Sequence, residues 1–325
     1  MPLTLDSPEQ SAATPRPKRA EFISGNRNDR RVAKGEVVEV LPWSEIVRTL
    51  DENGTLDGLP FMPEMLPYCG RKLTVTQRLE RTCEELEGGM RRIRRVVFLN
   101  DLRCDGSAHG GCQKGCCFLW KDAWLRRPAA AMDEGDDGPP VYPFPYSFAD
   151  QRYTCQSTEL LRATSPISPL DVASYFRDVR SKTYGAAELL RIVYRAVVHR
   201  IRCRISGKSH RVLEGTCTQT KRRTLNLMPG EWVRVKSGEQ IAETLNSQGK
   251  NRGLAFTVEM LPFCGRTFRV LRRLEKMINE RTGKLIRLEG TVILENVTCD
   301  GCHILRGGCP KQNYHYWREV WLERV

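Results

Sequence analysis

The sequence predicts an α+β fold that is mainly β, with two small barrels in tandem joined by a helical spacer. Three observations lead to this prediction. Residues 35–104 align with residues 230–299 at a constant offset of 195, and 28 of the 70 aligned positions are identical. Within each copy, short segments alternate between apolar and polar residues, as half-buried strands do. Between the copies, two segments carry apolar residues at helical spacing.

Each copy contains five predicted strands and one short helix. The helix starts at Ser44 in the first copy and near Ser237 in the second, directly after the first strand. Five short strands in so short a segment predict a small, strongly bent barrel, and an SH3-like barrel fits the pattern best. Written as pairs from the two copies, the predicted strands are residues 36–40 and 231–235, 61–65 and 256–260, 73–75 and 268–270, 96–102 and 291–297, and 120–125 and 316–322.

The chain of 325 residues is long enough for two or three domains. We predict a disordered arm at residues 1–34, where Ser, Pro and Arg are frequent. The repeat domains are predicted at residues 35–127 and 230–325. Residues 128–229, which include an acidic and proline-rich stretch, are predicted to form a linker and a helical spacer.

The spacer contains two predicted helices, at residues 169–181 and 186–204. The second helix has a broad apolar arc, and arginines cover much of its remaining surface. We expect the pair to pack on one or both barrels. The arginines could bind a phosphate backbone, although charged residues at such positions more often form a solvated face. The apolar arc consists of Leu189, Leu190, Val193, Tyr194, Val197, Val198 and Ile201.

Charge and hydropathy limit the classes of partner. The net charge is +13 and the pI is about 9.3, which favours an anionic partner such as nucleic acid, a phosphorylated metabolite or an acidic protein. A solvated, arginine-rich surface explains the same charge. No stretch approaches the roughly 18 apolar residues of a membrane-spanning helix, and the N-terminus lacks an apolar signal core. We therefore expect no membrane partner and a cytoplasmic location.

The cysteines are repeated together with the strands. The chain has 13 of them, an odd number that a complete set of intrachain disulfides cannot use. In the cytosol, clustered thiols more often bind metal than form disulfides. Three pairs recur between the copies: Cys69 with Cys264, Cys104 with Cys299, and Cys112 with Cys309. A fourth candidate ligand lies near each set: His109 or Cys116 in the first copy, and Cys302 or His303 in the second.

These sets predict one zinc site in each copy, hence two zinc ions. Structural zinc takes four sulfur or nitrogen ligands, and the glycines around these thiols allow the chain to turn tightly enough to converge on one ion. An iron–sulfur cluster is the alternative metal group. Cys155 or Cys217 of the spacer could complete a site from outside. Cys83 and Cys203 lack counterparts in the other copy and are expected to be packing residues.

Four of the six tryptophans also recur, as Trp120 and Trp124 in the first copy and Trp317 and Trp321 in the second. The spacing within each pair would place both rings on one face of the last strand. We expect them to pack in the core. The alternative is an exposed aromatic platform for a ligand.

The chain resembles a group of uncharacterised bacterial proteins that carry paired cysteine-containing repeats. The resemblance covers most of both copies and residues 153–164. It implies two SH3-like repeats and a genomic setting among polysaccharide or secondary-metabolite biosynthesis genes, and it carries over no catalytic role. The residues that support it are Gly230–Ser237, Glu259, Met260, Cys264–Arg266, His109–Cys112, Trp120, Trp124 and Leu125.

The sequence contains none of the common phosphate-binding, dinucleotide-binding, serine-nucleophile or zinc-protease signatures. Two of its five histidines lie in the cysteine clusters, which leaves few for acid–base chemistry. We therefore predict a non-catalytic, zinc-stabilised tandem binding module, accessory to a biosynthetic pathway, whose partner is a protein or an anionic ligand. A metalloenzyme or iron–sulfur redox protein of secondary metabolism is the first alternative, and a nucleic-acid-binding protein is the second.

Overall fold

Strand is more abundant than helix in this chain. The computed structural model describes residues 31–84, 89–128, 141–168, 171, 173–180, 185–207, 211–219, 223–299 and 311–325. The chain is 32% strand and 22% helical, which confirms the predicted class, α+β and mainly β. Residues 31–325 belong to one compact unit. Most of the predicted arm, residues 1–30, lies outside the described residues. None of the described helices has both the length and the apolar character needed to cross a membrane.

Among the described residues, the first half of the chain forms seven strands, one short α-helix and three 3₁₀ helices. The strands are β1 (Val37–Val40), β2 (Thr55–Leu56), β3 (Leu59–Pro60), β4 (Lys72–Cys83), β5 (Met90–Leu99), β6 (Trp120–Lys121) and β7 (Leu125–Arg126). The α-helix is α1 (Trp43–Ile46), and the 3₁₀ helices are Val47–Thr49, Pro63–Tyr68 and Asp122–Trp124.

The spacer contributes β8 (Ser165–Pro166), α2 (Ala173–Arg180) and α3 (Ala186–Ser206). The second half repeats the arrangement of the first, and its hairpin β13–β14 corresponds to the outer ends of β4 and β5, because Lys276 pairs with Arg287 as Arg81 pairs with Arg92. Its strands are β9 (Trp232–Val235), β10 (Lys250–Asn251), β11 (Leu254–Ala255), β12 (Thr267–Arg273), β13 (Lys276–Ile278), β14 (Leu285–Arg287), β15 (Thr291–Thr298), β16 (Tyr314–Arg318) and β17 (Leu322–Arg324). Its helices are α4 (Gly238–Ala242) and the 3₁₀ helices Val258–Phe263 and Glu319–Trp321.

The two main sheets have corresponding strand orders. The first runs β6–β5–β4–β1–β7, with β8 beside β5, and the second runs β16–β15–β12–β9–β17. All pairings in both sheets are antiparallel. The registers also correspond, because Val38 pairs with Leu73 in the first sheet and Val233 pairs with Phe268 in the second. The sheets share a topology as well as a sequence pattern.

Each sheet curves around its own apolar cluster. The four repeated tryptophans are fully buried at the centre of these clusters, which confirms their predicted role in core packing. In both copies the final predicted strand is interrupted by a 3₁₀ turn, which lets both tryptophans of a pair point inward. The aromatic-platform alternative is wrong, because no face of these rings is exposed to a ligand.

The second predicted strand of each copy is wrong. Residues 61–65 and 256–260 enter the 3₁₀ helices Pro63–Tyr68 and Val258–Phe263 instead. Proline explains the difference, because its fixed φ and missing N–H disfavour a paired strand. Pro67 and Pro262 lie inside these helices, which still bury Met65 and Met260 in the two cores.

The spacer helices pack only partly as expected. α2 lies against β4, and Asp171 just before it accepts hydrogen bonds from Arg92 of β5 and Arg177 of α2. α3 lies against α2, and it buries Leu189 and Cys203. The apolar arc predicted to pack on the barrels is largely exposed. A helix can bury only one side against a single neighbour, and here the buried side is not the centre of the arc.

Candidate metal centre

A buried carboxylate begins the candidate site. Glu64 is the second residue of the 3₁₀ helix Pro63–Tyr68, where Pro63 fixes the first position. The helix directs Met65 into the core and leaves the Glu64 side chain only 3% exposed. A buried carboxylate is costly unless it has partners. The partners of Glu64 come from the loop that follows β5.

That loop folds back on itself between Cys104 and Cys112. Gly106 has φ +72°, and a Cβ atom there would lie 2.1 Å from the carbonyl oxygen of Cys112. The amides of His109 and Gly111 both donate to the carbonyl of Gly106, each at 2.9 Å. Farther along, the amide of Cys104 donates to the carbonyl of Cys116 at 2.8 Å. The loop therefore brings three of the predicted ligands close together.

Glu64, Cys104 and His109 converge at the base of the loop. Their ligand atoms all lie within 4.8 Å of one another. Glu64 Oε1 lies 2.6 Å from His109 Nδ1, and it accepts from the amide of Ala108 at 3.2 Å and from the Cys104 thiol at 3.7 Å. The other carboxylate oxygen, Oε2, is buried and has no hydrogen-bond partner among the described residues. Oε1 of Glu64 thus has three hydrogen-bonding partners, whereas Oε2 is left for a further group.

Both ring nitrogens of His109 are already engaged. Nε2 lies 2.9 Å from the carbonyl oxygen of Thr154, which can only accept, so Nε2 carries a proton. Nδ1 is hydrogen-bonded to Glu64. This ring therefore offers no free lone pair to a metal in the arrangement that the structure has. It orients Glu64, and through Glu64 it orients Cys104.

Above this pair lies a small cavity of about 30 Å³. A space of that size is comparable to the volume of one water molecule in the liquid. Five thiols line it: Cys104, Cys112, Cys116 and Cys117 from the loop, and Cys155 from the spacer. Cys117 also packs into the first core, and none of the five forms a disulfide. The cavity thus combines soft ligands from two separate segments of the chain.

Three of these thiols, Cys104, Cys112 and Cys155, have a raised pKa. Burial, followed by the charge of Glu64, raises the pKa of Cys104 well above its usual range. Burial also raises the pKa of Cys155 to about 12, with a smaller contribution from Cys116. Burial raises the pKa of Cys112, against the opposing effect of the Ile278 amide. Metal binding would have to displace the protons of these thiols.

Cations surround the cavity. Lys114, which also lines it, forms a buried ion pair with Glu280 of the second half. Arg272 approaches Gly115 so closely that its Nη2 lies 2.0 Å from where a Cβ would be. The Nε and Nη2 atoms of Arg272 are buried and have no hydrogen-bond partner among the described residues. Positive charge next to a thiol favours its anionic form, so the charge of Lys114 opposes part of the effect of burial on the pKa of Cys112 and Cys155.

The loop also connects the two halves. The Gln113 amide donates to the Lys276 carbonyl at 3.0 Å, and the Ile278 amide donates to Cys112 Sγ at 3.4 Å. Arg103 donates to the carbonyl of Gln312 at 3.0 Å, and its guanidinium lies 4.1 Å from the centre of the Tyr314 ring. The cavity is thus enclosed on one side by the hairpin β13–β14 of the second half.

The structure gathers only some of the predicted ligands. Cys104, Cys112 and Cys116 line the cavity, and His109 lines it as well. Cys69 follows the helix Pro63–Tyr68, packs against the first core and does not line the cavity. The equivalent Cys264 packs against the second core. Cys299 Sγ lies 4.0 Å from Glu259 Oε1, whereas Cys302, His303 and Cys309 lie outside the described residues.

Two contributors were not among the predicted ligands. Glu64 has a visible signal in the sequence, because it recurs as Glu259 within the repeated Glu-Met-Leu-Pro segment. Thr154 contributes only its carbonyl, for which no side-chain signal exists. Cys155 was considered as a residue that could complete the site from outside, and the structure places it there. Comparison with protein-family models, curated proteins and solved structures gave no match.

Proposed function

We propose that this protein is a non-catalytic tandem binding module whose first half is stapled by a zinc ion. The observation that carries the proposal is that Cys104, Cys112, Cys116 and Cys155, all free thiols, line one cavity. The corresponding strand orders of the two sheets support the further proposal that each half is an SH3-like barrel. The resemblance to paired-repeat proteins supports a role accessory to a biosynthetic pathway.

We propose the ligand set from the chemistry of the side chains at the cavity. Four thiolates satisfy a closed, tetrahedral structural zinc site. Two ligands of one such ion, each about 2.1 Å from it, lie about 3.4 Å apart. Glu64 Oε1 and His109 Nδ1 lie only 2.6 Å apart, the distance of a hydrogen bond. We therefore assign the four cysteines as ligands, with Glu64 and His109 as the hydrogen-bonded pair that positions Cys104.

A structural role fits the position of the four cysteines. Three belong to the long loop between β5 and β6, and the fourth belongs to the spacer. A shared ion would fix the loop to the spacer, and the loop in turn contacts the second half. Small barrels have little core to stabilise them, so such a link would contribute a large share of the stability. With four protein ligands the ion has no open position for substrate, which argues against a metalloenzyme.

A second zinc site in the other half remains part of the proposal. It would use Cys299 together with Cys302, His303 and Cys309, and Glu259 would occupy the position of Glu64. The contact between Cys299 and Glu259 supports it, because it repeats the contact between Cys104 and Glu64. The proposed partner is a protein or another anionic ligand, in keeping with the net charge of +13. A cytoplasmic location stays a prediction.

Elemental analysis combined with thermal unfolding tests the proposal. We expect about two zinc ions per chain, and we expect a chelator to lower the Tm sharply. Cys155→Ser should bind one ion fewer than the wild type. Cys69→Ser is the matched control, and it should bind the same number as the wild type. The proposal is wrong if the purified protein holds no metal and a chelator leaves its Tm unchanged.

The controls also test the ligand assignment. If Cys69→Ser loses an ion while Cys155→Ser keeps both, the assigned set is wrong. An iron–sulfur cluster is the second candidate, because four thiolates can hold it equally well. A brown protein with stoichiometric iron and visible absorbance that disappears in Cys155→Ser would select the cluster over zinc.

A further inference from the structure

The surface of α3 carries an unusual combination of side chains. Leu190, Tyr194, Val197, Ile201 and Ile205 follow one another at intervals of three or four residues and therefore share one face of the helix. All five are exposed, from 45% for Val197 to 82% for Ile205. We call this row the α3 stripe. The buried residues Leu189 and Cys203 lie outside the stripe, on the side of the helix that packs against the protein.

Arginines border the α3 stripe on both edges. At 3.6 residues per turn, Arg191, Arg195 and Arg202 fall along one edge, and Arg200 and Arg204 fall along the other. All five are exposed. The helix contains one acidic residue, Glu188, in its first turn. The surface is thus an apolar row between two lines of positive charge.

We propose that the α3 stripe is a docking surface for an amphipathic α-helix of a partner protein that carries acidic residues on both sides of its own apolar row. The spacing of three and four residues matches the a and d positions of a helix–helix seam. The arginines stand where residues next to such a seam contact the partner and choose it by charge. The surface lies outside the metal centre, so the proposal does not depend on the metal.

Other occupants fit less well. A second copy of this chain would bring two lines of arginines against two more. A phosphate backbone would pair with the arginines but would leave the apolar row exposed. A membrane surface favours Trp, Phe and Leu on the apolar face of a helix, whereas this row is mostly Val, Ile and Tyr. An acidic amphipathic helix covers the row and pairs with both edges.

Two synthetic helical peptides test the proposal against the full-length protein. The acidic peptide has Leu and Ile at seam spacing with Glu on both flanks, and the basic peptide has Lys in place of each Glu. Fluorescence anisotropy should show the acidic peptide binding at least tenfold more tightly than the basic one. Its affinity should fall as salt is added, because exposed charges are screened. Equal binding of both peptides, or binding of neither, would overturn the proposal.

Variants of exposed residues on α3 test where the acidic peptide binds. Val197→Ser combined with Ile201→Ser should weaken binding of the acidic peptide at least tenfold, with an unchanged circular dichroism spectrum because both residues are exposed. Arg191→Glu combined with Arg195→Glu should shift the preference toward the basic peptide. Arg281→Glu, at an exposed position in the second half, is the charge control and should behave as the wild type. If phosphatidylglycerol vesicles or single-stranded DNA bind α3 and the acidic peptide does not, the proposed partner is wrong.

Discussion

In both halves of the protein an indole N–H donates to a threonine hydroxyl, from Trp124 to Thr49 at 3.1 Å and from Trp321 to Thr244 at 3.0 Å. The same two tryptophans meet a phenylalanine edge-on, with ring centroids 5.2 Å apart and planes at 88° in each half. The surroundings of the two cores are different. Asp122 accepts hydrogen bonds from Arg78. The equivalent Glu319 accepts hydrogen bonds from three backbone amides in addition to Arg273.

This comparison separates two kinds of constraint. A core of interlocking rings accepts few changes, because close packing makes even small changes in volume costly. The hydrogen bonds at the edge of the core differ between the halves, and in the second half they hold the segment that precedes β9. The site shows a similar division, since Glu64 and Cys104 have counterparts, whereas His109 aligns with no histidine in the second half. The features that both halves share are mainly those that close packing in the core constrains.

Truncation of the core tryptophans should have the largest effect. Trp124→Ala and Trp321→Ala each remove a fully buried ring, and each should lower the free energy of unfolding by about 4 kcal/mol. Urea unfolding monitored by circular dichroism measures the loss. Trp232→Ala is the control, because that ring is 56% exposed and its removal should cost less than about 0.5 kcal/mol. A loss at one site several times the loss at the other would show that the two cores are not equivalent.

Substitution of Glu319, whose hydrogen bonds differ from those of the equivalent Asp122, should give the next largest loss of stability. Glu319→Gln places an amide N–H₂ against backbone N–H groups that now donate to a fully buried carboxylate, and it should cost about 3 kcal/mol. Asp122→Asn removes only charge from the pair with Arg78, and it should cost about 1 kcal/mol. Both values come from equilibrium unfolding. Equal losses would mean that the backbone contacts of Glu319 contribute nothing.

The sequence predicted those parts of the fold that depend on local pattern. The first strand, the short helix with its Ser237 cap and the burial of the tryptophans follow from alternation, capping and repetition. The prediction of the second strand was wrong, because it relied on the apolar residues at 61–65 and gave too little weight to Pro63 and Pro67. In the site, Cys104, Cys112 and Cys116 were predictable from spacing. The placement of Cys155 and the Thr154 carbonyl was not, because it depends on how the spacer packs against the loop.

The carboxylate of the site should affect metal affinity. Glu64→Gln weakens the hydrogen bonds to His109 and Cys104, and we expect it to lower the affinity for one zinc ion about 10- to 100-fold. Competition with a chromophoric chelator measures this change. Glu259→Gln is the paired variant, and it should affect only the other ion. Unchanged affinity in Glu64→Gln would show that this carboxylate does not support the metal centre.

The smallest effect is expected at the threonines that hold the tryptophans. Thr49 and Thr244 each accept from an indole N–H, and each donates to a carbonyl one helical turn earlier at 2.7 Å. Replacement by valine keeps the shape and removes both hydrogen bonds, so each variant should lose about 1 kcal/mol. Thr244 is buried and Thr49 is only half-buried, so water can partly replace the lost partner at Thr49. We therefore expect the larger loss for Thr244→Val. The reverse order in urea unfolding would show that the two cores differ more than their matching geometry indicates.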